Sequence, residues 1–144
     1  MVRMELGTFG AIMKFALDVE TEVTRFYESA KGLAKDEDLA GVFGSLASRG
    51  EKRLKTIERI RRENVTEMIL EPIVGLDSDA YQPTISIPEN ADDSKLTNTA
   101  REIEKKLNAF YNDAAAKLEF LSEVAYSFEI LAEANDNANK RFAS

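Results

Sequence analysis

Residues 16–30 read ALDVETEVTRFYESA, and residues 100–114 read AREIEKKLNAFYNDA, with the same Ala, Glu, Phe-Tyr and Ala at matching places. A shorter match follows in each half, where FGSLA at 43–47 returns as FEILA at 128–132. In and around these segments apolar residues recur every three or four positions, which is the spacing of an amphipathic helix. The chain is therefore predicted to contain two similar helix hairpins, an internal repeat.

The predicted boundaries follow from this periodicity and from the helix breakers. The first hairpin is predicted over 5–62, with helices at 5–33 and 36–62 that a short link makes antiparallel. All three prolines fall within 63–93, which is predicted to be one long crossover with a short helix near 66–70. The second hairpin is predicted over 94–143, with Ser94 as N-cap.

Two interpretations stay open for the second half. In the first, residues 94–143 form two helices, with a turn near 118–122 and Ser122 as N-cap. In the second, they form one continuous helix whose second half packs in a partner chain, because no Gly or Pro interrupts them.

Composition excludes several classes of function. With 144 residues the chain has the size of one domain, and it contains neither cysteine nor histidine, which removes disulfides and the commonest metal ligands and general base. A formal net charge of -7 opposes nucleic-acid binding. No apolar run is long enough to span a membrane and no signal-peptide core is present, so we expect a cytoplasmic protein with no membrane or nucleic-acid partner.

Two glutamates lie on the apolar stripes of the repeated helices. Glu20 follows Ala16 by four positions, and Glu104 follows Ala100 by four. A carboxylate inside a helical bundle is costly unless it is paired or bound to metal. Its presence at matching places in both halves predicts a polar site in the bundle interior.

In these residues the chain resembles the rubrerythrin branch of the ferritin-like family. The resemblance implies an all-α, ferritin-like four-helix bundle of two helix hairpins joined by one long crossover. In that family each half supplies a Glu before an aromatic residue on its first helix and a Glu-x-x-His three positions after a Leu-Ala pair on its second. Together they hold two iron ions that reduce peroxide or activate oxygen. Glu20 before Phe26-Tyr27 and Glu104 before Phe110-Tyr111 match the first-helix pattern.

The second-helix motif is lost in both halves. Counting from Ala47 places Gly50 and Arg53 where the family has Glu and His, and counting from Ala132 places Asn135 and Ala138 there. We expect no metal at these residual positions. Instead we predict a buried polar cluster in which Arg53 pairs with Glu20 or Glu104 and Asn135 completes the hydrogen bonds. The alternative is that Arg53 extends to the edge of the bundle.

These residues favour a non-catalytic, degenerate rubrerythrin-like protein that serves as an interaction, scaffolding or small-ligand-binding module. No cofactor and no catalytic residue is expected. The partner expected from the resemblance is a second copy, in a homodimer whose chains exchange helices or pack side by side. The alternative function is a metal-dependent oxidoreductase that acts on peroxide or oxygen with iron or manganese at an atypical carboxylate site. A basic stripe on the second helix, formed by Lys52, Lys55, Arg59 and Arg62, is predicted to face outward.

Overall fold

The computed structural model describes residues 5–64, 73–87 and 89–143. It contains the helices α1 (Phe9–Leu33), α2 (Glu37–Glu63), α3 (Ser78–Tyr81), α4 (Asp93–Lys117) and α5 (Ser122–Ala143). The described residues include no strand, only an isolated bridge between Glu5 and Asp77. The four long helices pack as two close pairs, α1 with α2 and α4 with α5, which confirms the predicted all-helical bundle.

Side-chain caps determine where α1 and α4 begin, and both helix starts differ from the prediction. The Thr8 side chain accepts a hydrogen bond from the Ala11 amide, so α1 begins at Phe9 and not near Glu5. The Asp92 carboxylate accepts from the Lys95 amide, so Asp92 is the N-cap of α4 and the prediction of Ser94 is wrong. The Asp92 carboxylate also interacts favourably with the positive end of the helix dipole.

The second half forms two helices, so the interpretation as one continuous helix is wrong. The chain turns after Lys117, where the Leu121 amide donates to the Leu118 carbonyl at 2.8 Å. Helix α5 then begins at Ser122, and the Ala125 amide donates to the Leu121 carbonyl at 2.9 Å. Leu121 therefore holds the N-cap position that was predicted for Ser122, although the turn lies where it was expected.

The connection between the hairpins runs along the length of the bundle. Helix α2 ends at Glu63, whereas α4 starts beside the α1–α2 link, where the Asp93 carboxylate accepts from the Lys35 and Asp36 amides. Helix α3 lies in this connection and was not predicted; the Tyr81 hydroxyl fixes it to α4 by donating to Asp113 at 2.7 Å. The short helix predicted near 66–70 lies outside the described residues.

The bundle interior is formed where the two hairpins meet. Helices α2 and α5 run antiparallel, because the Phe43 ring lies 5.9 Å from the Phe142 ring while Arg53 further along α2 contacts Leu131. Apolar side chains from all four long helices form one core. Within the described ranges, no helix is long and apolar enough to cross a membrane.

Candidate functional site

The centre of the bundle holds two fully buried carboxylates. Glu20 lies in the middle of α1 and Glu104 in the middle of α4, and both have 0% of their surface exposed. Each is followed seven positions later by a buried tyrosine, Tyr27 and Tyr111. Seven residues span almost two helical turns, so each Glu and Tyr of one helix share a face but are about 10 Å apart along it.

Each tyrosine reaches the carboxylate of the other hairpin. The Tyr27 hydroxyl donates to Glu104 Oε2 at 2.6 Å, and the Tyr111 hydroxyl donates to Glu20 Oε2 at 2.5 Å. This reciprocal contact is possible because α1 and α4 run antiparallel, which places the glutamate of each helix level with the tyrosine of the other. The aromatic residues of the repeat therefore pack in the core, as predicted, and also bind the charged cluster.

Arg49 binds Glu104 through both guanidinium nitrogens. Its Nη1 donates to Glu104 Oε1 at 2.6 Å and its Nη2 donates to Glu104 Oε2 at 2.9 Å. This two-pronged geometry is the strongest form of arginine–carboxylate pairing. The Arg49 guanidinium also lies 5.9 Å from the centre of the Tyr27 ring. Arg49, Glu104 and Tyr27 thus form one half of the cluster.

Arg53 binds Glu20 in the other half. Its Nη1 donates to Glu20 Oε2 at 3.0 Å and to Asn135 Oδ1 at 3.1 Å, and its Nη2 donates to the Leu131 carbonyl at 2.8 Å. Only 3% of Arg53 is exposed, so the alternative in which it extends to the bundle edge is wrong. The predicted pairing of Arg53 is confirmed, with Glu20 as its partner.

Asn135 on α5 joins the two halves. It accepts from Arg53 and donates through Nδ2 to Glu104 Oε1 at 2.8 Å. An amide suits this place because it carries both a donor and an acceptor, whereas a carboxylate could only accept. The prediction that Asn135 completes the hydrogen bonds of the cluster is therefore confirmed.

The neighbouring charges stabilise the ionised form of Glu104. Burial alone would raise the pKa of this carboxyl, but the charge and hydrogen bonds of Arg49 outweigh burial, and the pKa lies below its ordinary value. Burial, and next to it the charge of Glu104, raise the pKa of Tyr27 well above the usual value. Burial and then Glu20 do the same for Tyr111. The cluster therefore consists of two carboxylates, two guanidinium groups and two neutral phenols, with a formal charge of zero.

Most of the buried polar atoms of the cluster have a hydrogen-bond partner. Among the described residues, Glu20 Oε1 and Arg49 Nε are buried atoms of the cluster without a hydrogen-bond partner. Glu20 Oε2, in contrast, accepts from both Arg53 and Tyr111. Buried polar atoms are normally paired, so the hydrogen bonding around Glu20 is weaker than that around Glu104.

Gly50 has a packing role that the sequence did not indicate. A Cβ atom built on Gly50 would lie 1.9 Å from Oγ1 of Thr24, whose hydroxyl donates to the Glu20 carbonyl at 2.7 Å. Glycine thus lets α1 and α2 approach each other beside the cluster. Ala138 is buried and, with Arg49, lines a surface groove of 280 Å³ between α2 and α5, but it makes no polar contact. Of the six residual positions, Glu20, Arg53, Glu104 and Asn135 are brought together by hydrogen bonds.

Arg49 is the functional residue that the sequence analysis missed. A usable signal was its position one helical turn before Arg53, since residues four apart share a helix face. The acidic residues next to the lost motif positions, Glu51 and Asp136, do not contribute to the buried cluster. Glu51 and Asp136 are exposed, and Asp136 pairs with Lys140 at 3.1 Å on the surface of α5.

The residues of the cluster do not fit the iron pair that the resemblance implies. Both oxygens of Glu104 accept from Arg49, and Glu20 Oε2 accepts from Arg53, so three of the four carboxylate oxygens already face cations, and Glu20 Oε1 alone has no hydrogen-bond partner. In the part of the chain that the structure describes, no group of three or more His, Cys, Asp or Glu side chains is placed to hold a metal ion. Imidazole is missing altogether, since the chain has no histidine.

Comparisons with protein-family models, with curated proteins and with solved structures gave no match.

Proposed function

We propose that this chain is a non-catalytic, degenerate rubrerythrin-like protein of the ferritin-like fold, which acts as an interaction module through its outer surface. The observation that carries the proposal is the pairing of Arg49 and Arg53 with the two buried carboxylates. On this account two guanidinium groups supply, inside the bundle, the positive charge that two iron ions supply in the family.

The arrangement of the helices supports the ferritin-like part of the proposal. Two antiparallel hairpins joined by a connection that runs along the bundle is the topology of that fold. The glutamates of the repeated segment lie in the interior and are linked to each other through Arg53 and Asn135, as a shared site would require. Two hairpins that arose by duplication would account for this correspondence.

The charge of the cluster supports the non-catalytic part. A guanidinium does not lose its proton in proteins, so Arg49 and Arg53 remain cations at any physiological pH. Two unit positive charges about 4 Å apart repel by roughly 4 kcal/mol at the effective dielectric constant of a protein, and a divalent ion doubles this repulsion. A metal would therefore have to displace both arginines and leave them buried without partners, which is a further cost.

Because the cluster fills the interior, the outer surface is the part of the molecule that can bind a partner. The space between Glu20 and Glu104 is taken by guanidinium and phenol groups, so the interior offers a small ligand little room. Charge on the outside is uneven: residues 50–62 contain five exposed basic groups and two acidic ones, in a chain whose net charge is -7. Such segregation of charge favours association with a protein of complementary surface, and a homodimer, side by side or with exchanged helices, is the simplest form.

Metal analysis combined with a peroxide assay tests this proposal against the oxidoreductase alternative. The chain is produced in medium supplemented with iron and manganese, purified without chelators, and analysed for both metals. We expect well under one equivalent of metal per chain, no peroxide turnover above buffer, and a melting temperature that added iron does not change. About two equivalents of metal per chain with peroxide turnover would overturn the proposal in favour of the alternative.

The variant Arg49→Met/Arg53→Met serves as the matched control, because it removes the cations and keeps side chains of similar length. If the guanidinium groups exclude metal, this variant binds iron or manganese more strongly than the original chain, although it is less stable. Equal and negligible metal binding by both proteins would show that the arginines are not what excludes metal.

A further inference from the structure

The outer face of α2 carries a row of exposed cations, most of which have no ion-pair partner among the described residues. Lys52, Lys55, Arg59 and Arg62 are all exposed. Within the described chain only Arg59 makes an ion pair, a long one of 3.9 Å to Glu63 on the same helix. The other three are exposed and make no ion pair in the described residues, so the second half of this face of α2 presents positive charge.

The outer face of α5 has the opposite character. From residue 119 to residue 139 the chain contains five acidic residues and no basic one. Glu123 and Glu133 are exposed and make no ion pair within the described ranges. Between them Tyr126 and Ile130, four residues apart and on the same helix face, are 65% and 49% exposed. This face therefore combines negative charge with an unburied apolar pair.

Helices α2 and α5 are antiparallel neighbours, and their exposed rows are in register along the bundle. The contacts of Phe43 with Phe142 and of Arg53 with Leu131 show which residues of α2 and α5 lie at the same level along the bundle. Counting from these contacts along the antiparallel helices places Lys52 level with Glu133 and Arg62 level with Glu123. The cations of α2 and the anions of α5 thus follow the same spacing along the bundle.

We propose that this face binds a second copy of the chain around a two-fold axis parallel to the helices, with α2 of each protomer lying over α5 of the other. Such an axis keeps every residue at its own level, so Lys52 meets the partner's Glu133 and Arg62 meets the partner's Glu123, twice by symmetry. Tyr126 and Ile130 are then buried between the two ion pairs. A perpendicular axis in the same interface would place α2 over α2 and bring like charges together.

This inference deepens the proposed function and rests on it, because it names the partner through which an interaction module would act. A nucleic acid fits the face poorly, since acidic α5 flanks the basic row along its whole length. A membrane surface fits poorly for the same reason. A second copy satisfies the cations, the anions and the apolar pair together.

A charge-exchange experiment tests the interface. Sedimentation equilibrium of the full chain in about 0.15 M salt, where screening extends over about 8 Å, is expected to give a dimer. Two variants, Lys52→Glu/Arg62→Glu and Glu123→Lys/Glu133→Lys, each place like charges opposite each other and are expected to weaken the dimer by at least about 100-fold. Mixed in equal amounts, the two variants restore every pair as a heterodimer, and the mixture is expected to dimerise about as tightly as the original chain.

The matched control is Arg101→Glu/Lys105→Glu, which changes the same number of exposed cations on α4 and is expected to leave the dimer intact. A monomeric original chain, a dimer that survives in both interface variants, or a mixture that stays monomeric would each overturn the interface. Because the metal and peroxide measurements can be made on the monomeric variants, they report on the proposed function separately. A metal-free monomer, for example, would overturn the interface and leave the non-catalytic assignment standing.

Discussion

Replacing Arg53 by alanine removes the cation that Glu20 depends on. Arg53 is almost completely buried and donates three hydrogen bonds, to Glu20, Asn135 and the Leu131 carbonyl. After the substitution the Glu20 carboxylate stays buried, with the Tyr111 hydroxyl as its remaining hydrogen-bond donor from another helix. The expected result is a large loss of stability without a change of fold.

The magnitude follows from the distances. A unit charge pair at 3.0 Å contributes roughly 5 kcal/mol at an effective dielectric constant of about 20. Removing one member of a buried pair costs about 3–5 kcal/mol in measured cases, because the other charge is left unpaired. Arg49 lies close enough to attract Glu20 as well, which reduces the loss. We therefore expect Arg53→Ala to lower the free energy of unfolding by about 3–5 kcal/mol, against a typical total of about 5–15 kcal/mol.

Urea unfolding followed by circular dichroism measures this loss. Arg53→Met is the companion variant, because it keeps the length of the side chain and limits the cavity. The double variant Arg53→Met/Glu20→Gln removes both charges and is expected to recover at least half of the loss, since neutral buried pairs are often as stable as ionic ones. Equal m-values across the series would show that all variants unfold from similarly compact states.

Two outcomes would refute this reasoning. A loss below about 1 kcal/mol for Arg53→Met would mean that no buried charge is left without a partner. A double variant whose loss equals the sum of the two single losses would mean that Arg53 and Glu20 do not interact.

Three further predictions concern other parts of the site. Arg49 holds the pKa of Glu104 below its unfolded value of about 4.3, so stability is expected to fall as pH drops below that value. The fall is expected to be smaller in Glu104→Gln, and melting temperatures measured over a range of acid pH will show it. Equal dependence of the melting temperature on pH in both proteins would contradict this. Gly50→Ala is expected to lower the free energy of unfolding by about 1–3 kcal/mol in urea, because its Cβ meets the Thr24 hydroxyl. The control Gly41→Ala has nothing within 4 Å of its Cβ and is expected to raise the free energy of unfolding by up to about 1 kcal/mol. Equal effects of the two substitutions would contradict this. Tyr111→Phe is expected to cost about 1.5–3 kcal/mol near neutral pH. Because the pKa of Tyr111 is raised in the folded protein, this cost is expected to shrink progressively as pH rises above the unfolded value of about 10. A cost that does not depend on pH would contradict this.

The sequence predicted the helices well and their ends less well. The hairpins follow from hydrophobic periodicity, which reports the buried face of each helix directly, whereas the periodicity left the turn after Lys117 open because it continues through both α4 and α5. The starts at Phe9 and Asp93 depend on single capping contacts, of Thr8 and Asp92, that compete with equally plausible caps nearby. Helix α3 was missed because four residues are too few to show a period.

The buried glutamates could be found from the sequence, whereas their partners could be found only in part. A charged residue repeated within an apolar stripe is a strong signal, because burying a carboxylate is costly. The contact of Tyr27 with Glu104 depends on which helices lie antiparallel in space, and no local pattern contains that information. Arg49 lies one helical turn before Arg53, which indicates that the two share a helix face, but the pattern does not show that its long side chain reaches Glu104.

An anomalous-scattering crystal structure of the chain, grown and crystallised with iron and manganese present, tests the central claim most directly. That claim is that arginine, and not metal, neutralises the buried carboxylates. We expect Arg49 and Arg53 within about 3 Å of Glu104 and Glu20, as charge-assisted hydrogen bonds require, and no anomalous peak between the helices. An iron or manganese peak bound by Glu20 and Glu104, with the arginines turned away, would contradict the account.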